Sequence, residues 1–129
     1  MPKFSAKSES RLLTCVPDLQ RLFRVVVIHY DCSILCGHRA EDEQNEAFES
    51  NNSHVMWPDS LHNQFPSKAV DVAPYPIDWD DLDRFYHFGG FVRGIATMMQ
   101  IPIRGGHDWD SDTILDDQKF MDLPHFEKL

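Results

Sequence analysis

Between Pro17 and Val27 the apolar residues Leu19, Leu22, Phe23, Val26 and Val27 recur at helical spacing, which predicts one helix with a single buried face. Pro17 suits the start of that helix, because the N–H it lacks would be unpaired there anyway. Ahead of it, Ser8 or Ser10 is placed to cap a short turn running through Leu12 and Leu13. The pattern then changes. From Asp31 to Gly37, Cys32, Ile34 and Cys36 alternate with Ser33 and Leu35, the period of a short buried strand. Ala40 to Ser50 is rich in helix formers and poor in core residues, so it predicts a partly exposed helix.

Asn51 to Ser67 is polar and carries Pro58 and Pro66. A loop of that length without structure of its own is usually functional or disordered. Lys68 to Ala73 reads as a strand ended by Pro74 and Pro76, and Asp78 as the cap of a helix from Trp79 to about Met99. Gly89-Gly90 inside that helix marks a kink or a close packing contact. Ile101 to Arg104 forms a further short strand, followed by an acidic loop that opens on glycine; Pro124 to Glu127 forms the last. Helices come first and strands later, without regular alternation, which predicts an α+β fold.

At 129 residues the chain suffices for one core and not for two, so residues 1–129 are expected to form a single domain without a separate binding module. Twelve basic against 21 acidic residues give a net charge of −9, which disfavours nucleic acid and anionic membrane surfaces as partners. The longest aliphatic run, Val25 to Ile28, is far too short to cross a bilayer, so no membrane insertion is expected. Polar residues follow Met1-Pro2-Lys3-Phe4 where a signal peptide would place an apolar core, so synthesis in the cytoplasm without cleaved export is expected. Three cysteines, an odd number, read as free thiols.

Seven histidines in so short a chain direct attention to metal ligands. His62 ends the polar loop. Asp71 lies within an apolar strand, with the small Ala69 and Ala73 on its own face, and a carboxylate there is costly unless something neutralises it. His125 follows Pro124, which holds the backbone extended ahead of it. Two imidazoles and one carboxylate are the three-ligand, open arrangement of a catalytic zinc site. Asp122, three residues before His125, is placed to take a proton from an activated water. A single histidine or aspartate is more often structural or solvated than a ligand, and spacing alone leaves both readings open.

With SLHNQFPSKAVDVAPYPIDW, GHRAEDEQ and the terminal DLPHFE, the chain from Gly37 onward resembles the zinc peptidases that cut peptidoglycan stem peptides. These are the VanY-type D-alanyl-D-alanine carboxypeptidases and the phage L-alanyl-D-glutamate endopeptidases. The resemblance implies a small hedgehog/D-Ala-D-Ala-peptidase-like α+β domain with an antiparallel sheet. It implies one zinc per chain on His62, Asp71 and His125, with Asp122 as the base. Arg39 matches an arginine that polarises the scissile carbonyl or holds a substrate carboxylate, and Gln44 a position kept beside it, which makes Gln44 a candidate substrate contact. Two features depart from the family pattern. The eight residues between His62 and Asp71 exceed the usual spacing, which reads as an insertion over Asn63 to Ser67. In Gly105-Gly106-His107-Asp108-Trp109, His107 is additional; it, Asp108 and Trp109 are candidate substrate contacts.

Two competing metal readings carry less. Cys32, Cys36 and His38 form a tempting cluster, but on a strand the two thiols stand roughly 13 Å apart, so they read as packing residues. Asp108, Asp110 and Asp112 imitate the opening of an EF-hand, yet Thr113 replaces the required glycine and Lys119 the bidentate glutamate. A weak, irregular calcium site there is the lesser reading beside a solvated acidic loop. The sequence therefore predicts a monomeric zinc peptidase of phage-endolysin type, hydrolysing the L-alanyl-D-glutamate bond of a stem peptide. A holin-type partner would give it access to the wall. Terminal D-alanine removal and a non-catalytic metal-binding module of the same fold are the alternatives.

Overall fold

The computed structural model describes residues 1–115 and 122–129. Among the described residues, four helices precede or separate four short strands: α1 (Ala6–Leu12), α2 (Pro17–His29), β1 (Cys32–Cys36), α3 (Glu41–Glu49), β2 (Ala69–Pro74), α4 (Leu82–Met98), β3 (Ile103–Gly105) and β4 (His125–Lys128). The strands form one sheet in the order β1-β2-β4-β3, every neighbour antiparallel. The α+β expectation holds, and the long polar loop contains a single turn of 3-10 helix, Leu61–Asn63.

The apolar periodicity of α2 lands where it was predicted, with Leu19, Leu22, Phe23 and Val26 fully buried. They meet Val70 and Val72 of β2, Phe126 of β4, and Phe88, Val92 and Ala96 of α4 in one core. Phe126 lies at its centre, edge-on to Phe23 at 5.5 Å and to Phe88 at 6.1 Å. Each such side chain contributes about 1.5–3 kcal/mol by leaving water.

Strand alternation then decides the site. Since Val70, Val72 and Phe126 point at the helices, Asp71 and His125 must point to the opposite face. They are directly paired across β2 and β4, and Glu127 follows His125 on that face opposite Arg104 of β3. A bulge between Ile34 and Cys36 brings Cys36, rather than Leu35, into register with Asp71.

Element ends differ from expectation by capping chemistry. Helix α1 starts earlier, because the Ser5 side chain accepts from the Ser8 N–H; Ser8 itself accepts from the Ile34 N–H and ties α1 to β1. Helix α4 starts at Leu82, capped by Asp81 and not Asp78, leaving Trp79 outside it and stacked on Phe85 at 5.3 Å. Of the glycine pair in α4, Gly89 is the packing contact: a Cβ there would lie 2.8 Å from the His107 ring.

Candidate active site

The 3-10 turn is built by its ends. Ser60 accepts from the His62 N–H, and the Asn63 side chain accepts from the Ser60 N–H. This turns the His62 ring inward until it is 2% exposed. Its Nδ1 lies 2.7 Å from the Gly37 carbonyl, an acceptor only, so Nδ1 carries the proton and Nε2 is left for the interior. That Nε2 is 3.3 Å from Asp71 Oδ1. From the other side, His125 Nδ1 approaches the same oxygen at 3.4 Å and Asp122 Oδ2 at 3.9 Å. The two rings are 5.2 Å apart. The predicted trio of His62, Asp71 and His125 thus converges on one carboxylate oxygen, with Asp122 beside it.

Asp71 Oδ1 is buried and makes no hydrogen bond among the described residues, although two imidazole nitrogens face it. A buried carboxylate oxygen without a donor is costly, and a divalent cation held between it and the two nitrogens would remove the cost. Potential ligands fall into two overlapping groups that share Asp71: one with Cys36 and His62, the other with Asp122 and His125. In each, the ligand atoms all lie within 4.8 Å of one another.

Charge is polarised across the cluster. Burial alone would raise Asp71, but the imidazoles facing it hold it well below the usual carboxylate range. Burial is the largest single influence on His62 and would lower it, but the charge and hydrogen bond of Asp71, together with Cys36, outweigh it and raise His62 to about 10. Asp122 moves the other way. Burial and the nearby Asp71 charge push it above the ordinary carboxylate value.

Arg39 reaches Asp71 Oδ2 at 3.5 Å. Its own N–H donates to the His62 carbonyl at 2.7 Å, so ligand turn and arginine are locked together. Gln44, by contrast, is fully buried and clamps the site from behind. Its oxygen accepts from Arg39 and Asn63, and its amide donates to Ser53 and the Val55 carbonyl. It holds Arg39 and the polar loop in place from a position that gives a substrate no access.

The glycine-started segment divides. Trp109 faces the cleft, its ring 5.4 Å from His125 and 5.7 Å under the Arg104 guanidinium. His107 and Asp108 turn away and are buried. The His107 ring fills a slot formed by Gly89 and Gly105, and burial lowers its basicity. Asp108 pairs with Arg93 at 3.1 Å and accepts from the Thr113 N–H. Asp108, Asp110 and Asp112 do come together as three carboxylates, while Lys119 lies outside the described residues.

Two features of the site escaped the sequence reading. Cys36 is a neighbour of His62, with Sγ 3.9 Å from Nδ1, because the β1 bulge re-aims it; Cys32 stays in the core, so the two thiols do not share a site. Glu127 accepts from His125 Nε2 at 2.8 Å and from Arg104 at 2.6 Å. The signal was present as His-x-Glu on a strand, a spacing that puts both side chains on one face.

The cluster sits at the waist between two hollows that share Arg39, Asn52 and Asp122. One, of about 390 Å³, is lined by the polar loop with Arg104, Trp109 and Glu127. The other, of about 490 Å³, is walled by Leu35, Trp79, Leu82, Phe85 and Pro124.

Known proteins share this arrangement of chain. The L-alanyl-D-glutamate peptidase of Escherichia phage T5 is 32% identical over 116 residues, covering 84% of this chain and 82% of its own. The crystal structure of the Serratia marcescens L-Ala D-Glu endopeptidase ChiX matches with a TM-score of 0.76 at 25% identity, over 99% of this chain and 91% of that one. The family model of the phage L-alanyl-D-glutamate peptidases matches residues 1–129, the strands that pair Asp71 with His125 included. On that match the chain belongs to the phage L-alanyl-D-glutamate peptidase family.

Proposed function

We propose that this chain is a zinc-dependent endopeptidase that hydrolyses the L-alanyl-D-glutamate bond of peptidoglycan stem peptides. The ligands are His62, Asp71 and His125. Zinc bound there supplies Lewis acidity, bringing the pKa of a water to about 7 and polarising a carbonyl. The same donors would accept cobalt or nickel.

The chain's own groups do the rest. Asp122, beside the ligands and with its affinity for protons raised, takes a proton from the attacking water and returns it to the departing amine. Arg39 stabilises the charge that develops on the carbonyl oxygen, since its guanidinium is always protonated and presents several donors. Gln44 keeps that guanidinium aimed by accepting one of its N–H groups.

The observation that carries the endopeptidase reading is the pair of hollows on either side of the cluster. A carboxypeptidase needs a pocket closed just beyond the scissile bond, whereas an endopeptidase needs chain to leave on both sides. The protein works as a monomer, and a holin-type partner supplies passage to the wall.

Digestion of purified peptidoglycan followed by mass analysis tests the assignment. Fragments with a new amino terminus at D-glutamate are expected; free D-alanine as the only product rejects it. Asp122→Ala should keep stoichiometric zinc and lose hydrolysis, and unchanged lysis would remove Asp122 as the base.

A further inference from the structure

The two imidazoles of the cluster are oriented by different devices. His62 is fixed by a backbone carbonyl, that of Gly37, which no side-chain change removes. His125 depends on a side chain. Its Nε2 lies 2.8 Å from Glu127 Oε1, and the second oxygen of that carboxylate is taken by Arg104 at 2.6 Å. Glu127 is 6% exposed, a place where a carboxylate is rarely found without partners. The sheet makes room for it: Glu127 pairs with Ala69 on one side, whose methyl leaves space, and with Arg104 on the other.

A carboxylate acceptor at Nε2 requires that nitrogen to carry a proton, so Nδ1 is the nitrogen left to ligate, and it faces Asp71 Oδ1 3.4 Å away. Rotation of the ring would break the Glu127 bond, and movement of Glu127 would break its bond to Arg104. Trp109, packed against both the His125 ring and the Arg104 guanidinium, closes the remaining direction.

We propose that Glu127, anchored by Arg104, is a positioning residue that fixes the tautomer and orientation of His125 and thereby sets the affinity of the site for zinc. The inference rests on His125 being a ligand, as in the preceding subsection. Removing an outer-shell partner of a ligating histidine typically costs about 10–100-fold in metal affinity.

The test is zinc affinity of the full chain, measured by competition with a chromophoric chelator, beside thermal unfolding and the NMR signal of the His125 Nε2–H. Glu127→Ala should lose about 10–100-fold in affinity and lose the protected Nε2–H signal. Glu127→Gln, which keeps an acceptor oxygen, should recover part of both. A merely structural role would lower Tm in Ala and Gln alike and leave affinity unchanged. Arg104→Met leaves Glu127 in place but unanchored, and should weaken zinc binding in the same direction by a smaller factor. Wild-type affinity in Glu127→Ala, or in Arg104→Met should the first variant not fold, overturns the inference. His125→Ala separates the two readings: if it too binds zinc as tightly as wild type, the ligand assignment fails, and if it alone loses zinc, only the role of Glu127 fails.

Discussion

Gly106 is the point where the proposed base and the last ligand are tied to the sheet. Its N–H donates to the His125 carbonyl at 2.8 Å, and its carbonyl accepts from the Asp122 N–H at 3.1 Å. A Cβ added at Gly106 would lie 2.8 Å from the backbone carbonyl carbon of Asp122 and 3.1 Å from its Cβ, with the carbonyl oxygen closer still. Ordinary contact begins at 3.4 Å. Because the obstruction is backbone, no side chain can swing aside, and the Asp122 segment must retreat by at least about half an ångström, straining both hydrogen bonds. Overpacking of this kind costs about 1–3 kcal/mol, which for a chain of this size lowers Tm by roughly 5–15 °C. Displacement of a reacting group by ~1 Å can cost about 100-fold in rate. Gly106→Ala should therefore lower both Tm and the rate of peptidoglycan hydrolysis. Gly90→Ala is the control, because nothing lies within 4 Å of a Cβ there; in mid-helix it should stabilise by about 0.5–1 kcal/mol. Wild-type Tm and rate in Gly106→Ala would show that a methyl fits there and that Gly106 does not hold the Asp122 segment.

Four further outcomes follow from the electrostatics and packing of the site. In the zinc-free chain burial beside Asp71 raises Asp122, so in an NMR pH titration of chelator-treated protein its carboxyl should titrate above the ordinary carboxylate pKa, and a midpoint at about 4 or below would contradict the burial argument. His62, raised from 6.5 to about 10 when only Asp71 neutralises it, must be neutral to ligate, so zinc loading at pH 7.5 should release about one proton from it. Calorimetry in buffers of different ionisation heat measures this, and zero release would sink the claim. The same shift gives chelator-treated protein a stabilising contribution from His62 that is fully present below pH 6.5 and is lost progressively as pH rises through about 10, where the folded state gives up its extra proton; a flat pH profile of the denaturation midpoint over that range would contradict it. Gln44→Ala removes a fully buried amide with four partners and should cost about 1–3 kcal/mol in chemical denaturation, together with slower hydrolysis as Arg39 loosens; an unchanged denaturation midpoint would show the loop holds itself.

How much of this was legible in the chain depended on whether the signal was local. The helical face of α2, the alternation that turns Asp71 away from Val70 and Val72, and the acidic residue three before His125 are local patterns, and each led to the correct element or neighbour. Helix ends were less readable, since Ser5 and Asp81 win as caps only once the backbone geometry lets their side chains reach an N–H. Gln44, His107 and Asp108 were singled out as candidate substrate contacts because they accompany Arg39 and Trp109 in the sequence. The fold buries all three, and their neighbours across the structure give them packing and clamping work instead.

Pattern and spacing along the chain specify the α+β class, the apolar faces that make the core, and the residue types of a His/Asp/His cluster with a carboxylate beside it. The second rank of residues behind that cluster emerges only when the chain is folded. The bulge that sets Cys36 opposite Asp71, the Gly37 carbonyl that orients His62, and the Arg104–Glu127 pair that holds His125 all join residues far apart along the chain. Period and spacing fix which way a side chain leaves its own strand, but strand register fixes what it meets, and register is settled by the packing of the whole sheet.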